Sequence, residues 1–282
     1  MPALARLCPQ LEEFHFSKCL LTDRGLSSLA MWPKLRELSL TGYEDLDFQS
    51  EEFRRIDGSG LVHLANLSNL ERLHLDGQAI NDAALKNLRG LKSLRRLTLD
   101  NNRVTDVGLS SLNELKQLEL LSIAGNNITG SGLEILDGMA ELSNFEAQRT
   151  QVGDSALRHL NGAPKLQSLW LDGMPITGTG FSQVTTGKEL LVLSLNGTQL
   201  SDDGLREIGR FPSLELLYRR ETEVTGGGLP GLAALSRLEQ LDLAESALTD
   251  AGLSQIPPLP NLNQLVLDQT GITDAGLVNL KS

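Results

Sequence analysis

Apolar residues fall into one repeating pattern along almost the whole chain. Leu94, Leu118, Leu142, Leu166, Leu190, Leu214, Leu238 and Leu262 stand 24 residues apart, and each opens a copy of LxxLxLxxxxITDxGLxxLxxLxx. Earlier copies open at Leu11, Leu35 and Leu70, and the 35-residue step between the last two implies an eleven-residue insertion near residues 42–53. A fixed period in this range marks a solenoid, in which each copy packs only on its neighbours. One register from Leu11 onward predicts a single domain over residues 1–282 with about eleven copies.

Counting the opening leucine as position 1, positions 4 and 6 are apolar between polar neighbours, as Leu97 and Leu99 are among Arg96, Thr98 and Asp100. That alternation predicts a short half-buried strand. Position 11 is apolar in every copy, for example Ile80, Val104 and Ile128, and turns the chain back beneath the strand. Thr-Asp pairs such as Thr105-Asp106 and Thr249-Asp250 then offer a cap for a helical turn, each aspartate expected to serve its own turn. The following glycine lets neighbouring copies approach closely. Leu109, Leu112 and Leu115 suit a short α-helix or 3₁₀ segment, too short to stand without its neighbours. The prediction is an α/β solenoid curved as a horseshoe, with a parallel sheet on the concave side and short helices on the convex side. Its crossovers should be right-handed.

These residues carry a family resemblance. ALTDAGLSQI and GITDAGLVNL resemble bacterial leucine-rich repeats, including GALA-type effectors. CPQLEEFHFSKCLLTDRGLSSLA is similar to the cysteine-containing repeats of F-box proteins, with Cys8-Pro9 and Cys19 as the matching residues. Later copies carry Asn, Thr or Ser where Cys19 stands, as at Asn102, Asn126, Thr150, Thr198 and Ser246. The resemblance implies a leucine-rich repeat solenoid that binds proteins. It also implies an alternative, the substrate-recognition fragment of a larger bacterial effector or ubiquitin-ligase-like protein, although no F-box motif is visible.

The formal charge is −11, with 36 acids against 25 bases. This argues against nucleic acid and fits a protein partner with a basic patch. No apolar run is long enough to span a membrane. No signal peptide is visible at the start, which is compatible with the cytoplasm or with a translocated effector. The chain starts in the tail of one copy and stops within another, as a fragment of a longer protein would. Cys8 and Cys19 flank the first strand, where buried free thiols are expected.

HExxH, GxxxxGK[ST], GxSxG and CxxC are all absent, and His15, His63, His74 and His159 lack ligand spacing. No catalytic residue, cofactor or metal is therefore expected. Asn127-Ile-Thr129 and Asn196-Gly-Thr198 match glycosylation sequons at the level of chance. Recognition should come from positions 3, 5, 7 and 8, whose side chains leave the core. At position 5, Trp170 and Tyr218 stand out two copies apart, a separation of about 10 Å. They read either as interface anchors or as cover for a neighbouring strand. Glu146, Arg149, Asp172, Arg220, Glu221, Glu245 and Asp268 surround them as a polar rim.

Arg219 sits at position 6, otherwise apolar. It must pair with an acid or displace its strand, and it marks either a site or drift in the array. In copy six, small Ala147 takes the same core position. The insertion, with Tyr43, Leu46, Phe48 and Phe53 among its acids, reads equally as a binding loop or as packing.

Overall fold

In a computed structural model, residues 7–17, 21–42 and 56–281 are described. The insertion, Tyr43–Phe53, lies outside them, as does Cys19. Two compact units are formed, by residues 1–142 and by residues 143–282.

In the first unit the alternating segments become three-residue strands: β1 (Glu13–His15), β2 (Glu37–Ser39), β3 (Arg72–His74), β4 (Arg96–Thr98) and β5 (Leu120–Ser122). Each pairs in parallel with the next, and like positions face one another, as Leu38↔Leu73 and Leu73↔Leu97 do. The second unit repeats this with β6 (Asn144–Glu146), β7 (Ser168–Trp170), β8 (Val192–Ser194), β9 (Leu216–Tyr218), β10 (Gln240–Asp242) and β11 (Gln264–Val266). Positions 1, 4, 6 and 11 supply the core, for instance Leu94, Leu97, Leu99 and Val104, all fully buried. The return segments are one turn of α-helix running into 3₁₀, as at Asp106–Leu109 and Ser110–Leu112, or 3₁₀ throughout, as at Asp154–Gly162. This is a leucine-rich repeat solenoid fold.

The expected caps form: Thr105, Ser201, Thr249 and Thr273 accept from amides of their own helical turns. The aspartates that follow do something different from the expectation. Asp106, Asp202 and Asp250 each bind the turn of the next copy. Asp106 accepts from the Thr129 amide (2.8 Å) and from the Thr129 and Ser131 hydroxyls. Asp202 accepts from Thr225 Oγ1 (2.5 Å) and from the amides of Gly226 and Gly228. Burial pushes the Asp202 carboxyl up, but those bonds outweigh it and hold the group below the ordinary aspartate range. The same balance holds for Asp106. Where such an aspartate meets a glycine at position 13, as at Gly178 and Gly226, that glycine has φ 85° and 112°, values closed to ordinary side chains.

The position-15 glycines let copies approach as expected, since a Cβ on Gly204 would lie 2.0 Å from the Thr177 carbonyl oxygen. Position 8 had no assigned conformation and turns out left-handed in copy after copy. Gly77, Gly125, Gly173 and Gly197 hold it in four copies, while Asn101, Arg149, Glu221, Glu245 and Gln269 do so with side chains, at φ 53–56°. Cys8 is exposed, not buried, because its side chain lies ahead of the first strand and not among the core positions.

Candidate functional site

The parallel pairing of β6 through β11 puts equivalent positions side by side, so the strand face of residues 143–282 is a surface of rows. In the position-5 row stand Glu146, Trp170, Ser194, Tyr218, Asp242 and Val266. Trp170 and Tyr218 are closer than their strand separation implies: their ring centroids are 6.1 Å apart and the planes differ by 19°. Both rings lean over Ser194, which is fully buried beneath them. A small residue between two aromatic ones therefore converts a gap into a stack, an arrangement favoured by the ring quadrupoles. The Trp170 indole donates to Ser168 Oγ at 2.7 Å, which fixes the ring. Both rings remain half-buried and keep an outer surface. Small residues at position 5 do not face a partner as expected: Ser39, Ser122 and Ser194 are buried.

Sequence reasoning missed two members of this surface. Val192 and Leu216, at position 3 of β8 and β9, are half-buried on the same face and extend the aromatic stack into an apolar strip. Reading down position 3 as well as position 5 would have found them.

The polar candidates divide. Asp172 is tied into the array, accepting from Ser194 Oγ (2.5 Å) and the Asn196 amide (2.7 Å). Arg220 is exposed and donates to Asp242 at 2.6 Å. Glu146 lies across the β6–β7 register from Trp170. Arg149 and Glu221 are exposed at left-handed turns at the end of their strands. Over positions 3, 5, 7 and 8 of the six copies in this unit, Glu146, Asp172, Glu221, Asp242, Glu245 and Asp268 stand against Arg149 and Arg220, so acids outnumber bases six to two.

Arg219 follows neither expectation. It forms no ion pair among the described residues, and its strand is not displaced, because Leu217 and Tyr218 keep register with Leu241 and Asp242. The side chain is fully buried on the core side, away from the aromatic strip, and Nε, Nη1 and Nη2 have no hydrogen-bond partner among the described residues. Burial pushes the guanidinium down to about 9, against the opposing pull of Asp202 and Asp242. Asp202 is engaged by the next turn and Asp242 by Arg220 and the Ala244 amide.

The face of residues 1–142 has a different character. Arg72 pairs with Glu37 and Glu13, and along the adjoining row Arg36 pairs with Glu71 and Arg95 with Glu119. No cluster of three or more metal-ligating side chains occurs among the described residues, and none of their helices is long and apolar enough to cross a membrane.

The comparisons with known proteins agree with this geometry. Residues 68–128 and 92–152 match the family model described as Leucine rich repeat. No curated protein matches the sequence. The fold is similar to that of an internalin (inlF) from Listeria monocytogenes at TM-score 0.58 and 20% identity, covering 98% of this chain and 86% of that one. It is similar to an internalin C2 from the same organism at TM-score 0.55 and 23% identity, covering 73% and 83%. It is also similar to the crystal structure of PEPR1-AtPEP1 at TM-score 0.57 and 18% identity, where it covers 96% of this chain and 37% of that one. The protein has the leucine-rich repeat fold, the repeat model matching within residues 68–152 and two of the solved structures matching along nearly the whole chain.

Proposed function

We propose that this protein is a non-enzymatic protein-binding scaffold of bacterial origin, with its repeats forming one domain and its partner meeting the strand face of residues 143–282. The stacked Trp170–Tyr218 pair carries this reading. It is a rigid aromatic anchor that keeps an outer surface, surrounded by charged side chains, which is the anatomy of an interface centre. The acid excess around it favours a partner with a basic patch, steered in by long-range attraction. Neither nucleic acid nor a membrane surface fits that charge. The alternative, recruitment of substrates to a ligase, leans on the Cys8–Cys19 resemblance, and an exposed Cys8 adds nothing to it.

The test is Trp170→Ala against a partner recovered by affinity capture. The variant should unfold cooperatively, because the ring is only half-buried, and should bind about 2 kcal/mol or more weaker. Undiminished affinity in a folded variant would place the interface elsewhere.

A further inference from the structure

The strand face of residues 143–282 combines two chemistries in a fixed order along the strands. Val192 and Leu216 lie at position 3, and the Trp170–Tyr218 stack follows at position 5. At the strand ends come Glu221 and Glu245 at position 8 and Asp268 at position 7, in three successive copies. Arg220 is held by Asp242 and also attracts Glu245 and Asp268 through space, yet one cation stands against these acids. The side chains of Glu221, Glu245 and Asp268 make no hydrogen bond or contact ion pair among the described residues. In the other unit the charges at positions 2 and 3 neutralise one another across copies: Arg72 with Glu37, Arg36 with Glu71, Arg95 with Glu119.

Glu221 and Glu245 also occupy left-handed backbone at φ 54°, where four other copies carry glycine. A side chain there costs about 1 kcal/mol.

We propose that this face binds an extended peptide segment that sets an apolar side chain on Val192 and Leu216, beside the aromatic stack, and lysine or arginine side chains on Glu221, Glu245 and Asp268. The inference rests on the strand-face reading above. Copies nine to eleven span two strand spacings, about 10 Å, close to the rise of about 9 Å over one three-residue turn of an extended polyproline II chain, in which residues i and i+3 share a face. Two bases three residues apart can therefore address the two ends of the acid row. A helix would present its bases on a wider cylinder and lift them from the strip.

A library of random dodecapeptides displayed on phage is selected on the full chain, and the enriched peptides are synthesised and titrated by fluorescence anisotropy. Enriched peptides should share two basic residues about three apart and an apolar residue toward one end. Their affinity should fall at least about tenfold in the Glu221→Gln/Glu245→Gln/Asp268→Asn variant, and also on raising NaCl from about 50 to about 500 mM. Those three acids lie outside the core, so the variant should remain folded. Trp170→Ala, with Trp170→Phe as a second variant should the first not fold, separates the failures. Peptides that lose affinity in it but carry no bases overturn the basic-segment proposal and leave the strand-face reading standing. Peptides that bind it as well as wild type overturn both. A selection that enriches nothing overturns the proposal.

Discussion

The two units bind their successive copies together by different side chains at the same repeat position. In residues 56–142, Gln78, Asn102 and Asn126 stand at position 9, and each reaches back one copy. The Asn126 oxygen accepts from the Val104 amide at 3.0 Å, while its amide nitrogen donates to the Leu99 carbonyl at 2.8 Å. Asn102 does the same for Ile80 and Leu75. In residues 143–282 the position holds Met174 in one copy and hydroxyls in the others, and these hydroxyls bond within their own copy, as Thr150 to Ala147, Thr198 to Leu195 and Ser246 to Leu243 do. The first unit thus has a buried amide ladder beneath a strand face of mutually paired charges. The second lacks the ladder, buries an unpaired Arg219, and presents an apolar strip edged with acids. One repeat pattern supports both because positions 1, 4, 6 and 11 carry the hydrophobic core in each. The remaining positions are open to other duties: in the second unit Asp172 and Asp202 still hold neighbouring copies together, while Trp170, Val192, Leu216 and Tyr218 form an outward-facing surface.

Removing the buried charge should give the largest change. Arg219→Leu restores the residue carried by Leu195 and Leu243 in the flanking copies. It should raise stability by up to about 4 kcal/mol, measured by urea unfolding. The sign with pH is defined: the folded pKa of about 9 lies below the unfolded value. Between the two values the unfolded chain holds more protons, so the cost of Arg219 is complete below about pH 9 and eases above it. The gain in Arg219→Leu should shrink accordingly. A destabilised variant would mean that the guanidinium has a partner.

The ladder comes next. Asn126→Ala leaves the buried Val104 amide without an acceptor and should cost about 2 kcal/mol. Thr198→Val in the other unit keeps volume, loses one bond within its copy, and should cost about 1 kcal/mol or less. Equal costs would erase the contrast between the units.

Asp202→Asn should cost about 1.5 kcal/mol near neutral pH, because it weakens charge-assisted bonds to the next copy. Its carboxyl is depressed in the folded state, so this stabilisation is present above the ordinary aspartate pKa of 3.8 and is lost as pH falls through the lower folded value. Wild type and variant should therefore converge in acid unfolding. A gap that persists at low pH would show that the asparagine fails by packing and not by charge. The smallest effect is expected from Glu245→Gly, which should stabilise by about 0.5 kcal/mol or less, the relief of the left-handed turn being offset by glycine's freedom in the unfolded chain. Any loss of stability would mean that the Glu245 side chain makes a contact that outweighs the strain.

The sequence by itself determined the strands, the core rows and the helical caps, because each depends on neighbours within one 24-residue period. It also pointed to Trp170 and Tyr218, since position 5 leaves the core in any repeat of this kind. What it could not determine lies between copies. Asp106 reaches Thr129, and Asn126 reaches Val104, across 22 to 23 residues. From sequence alone those side chains look sufficient for their own turns. The 6.1 Å stack depends on two rings leaning over a buried serine, which strand spacing does not describe. Arg219 broke a visible rule, but whether it found an acid depended on where Asp202 and Asp242 had already given their oxygens. Periodicity places each residue in its row; only tertiary packing decides which neighbour, one copy away, its polar atoms will meet.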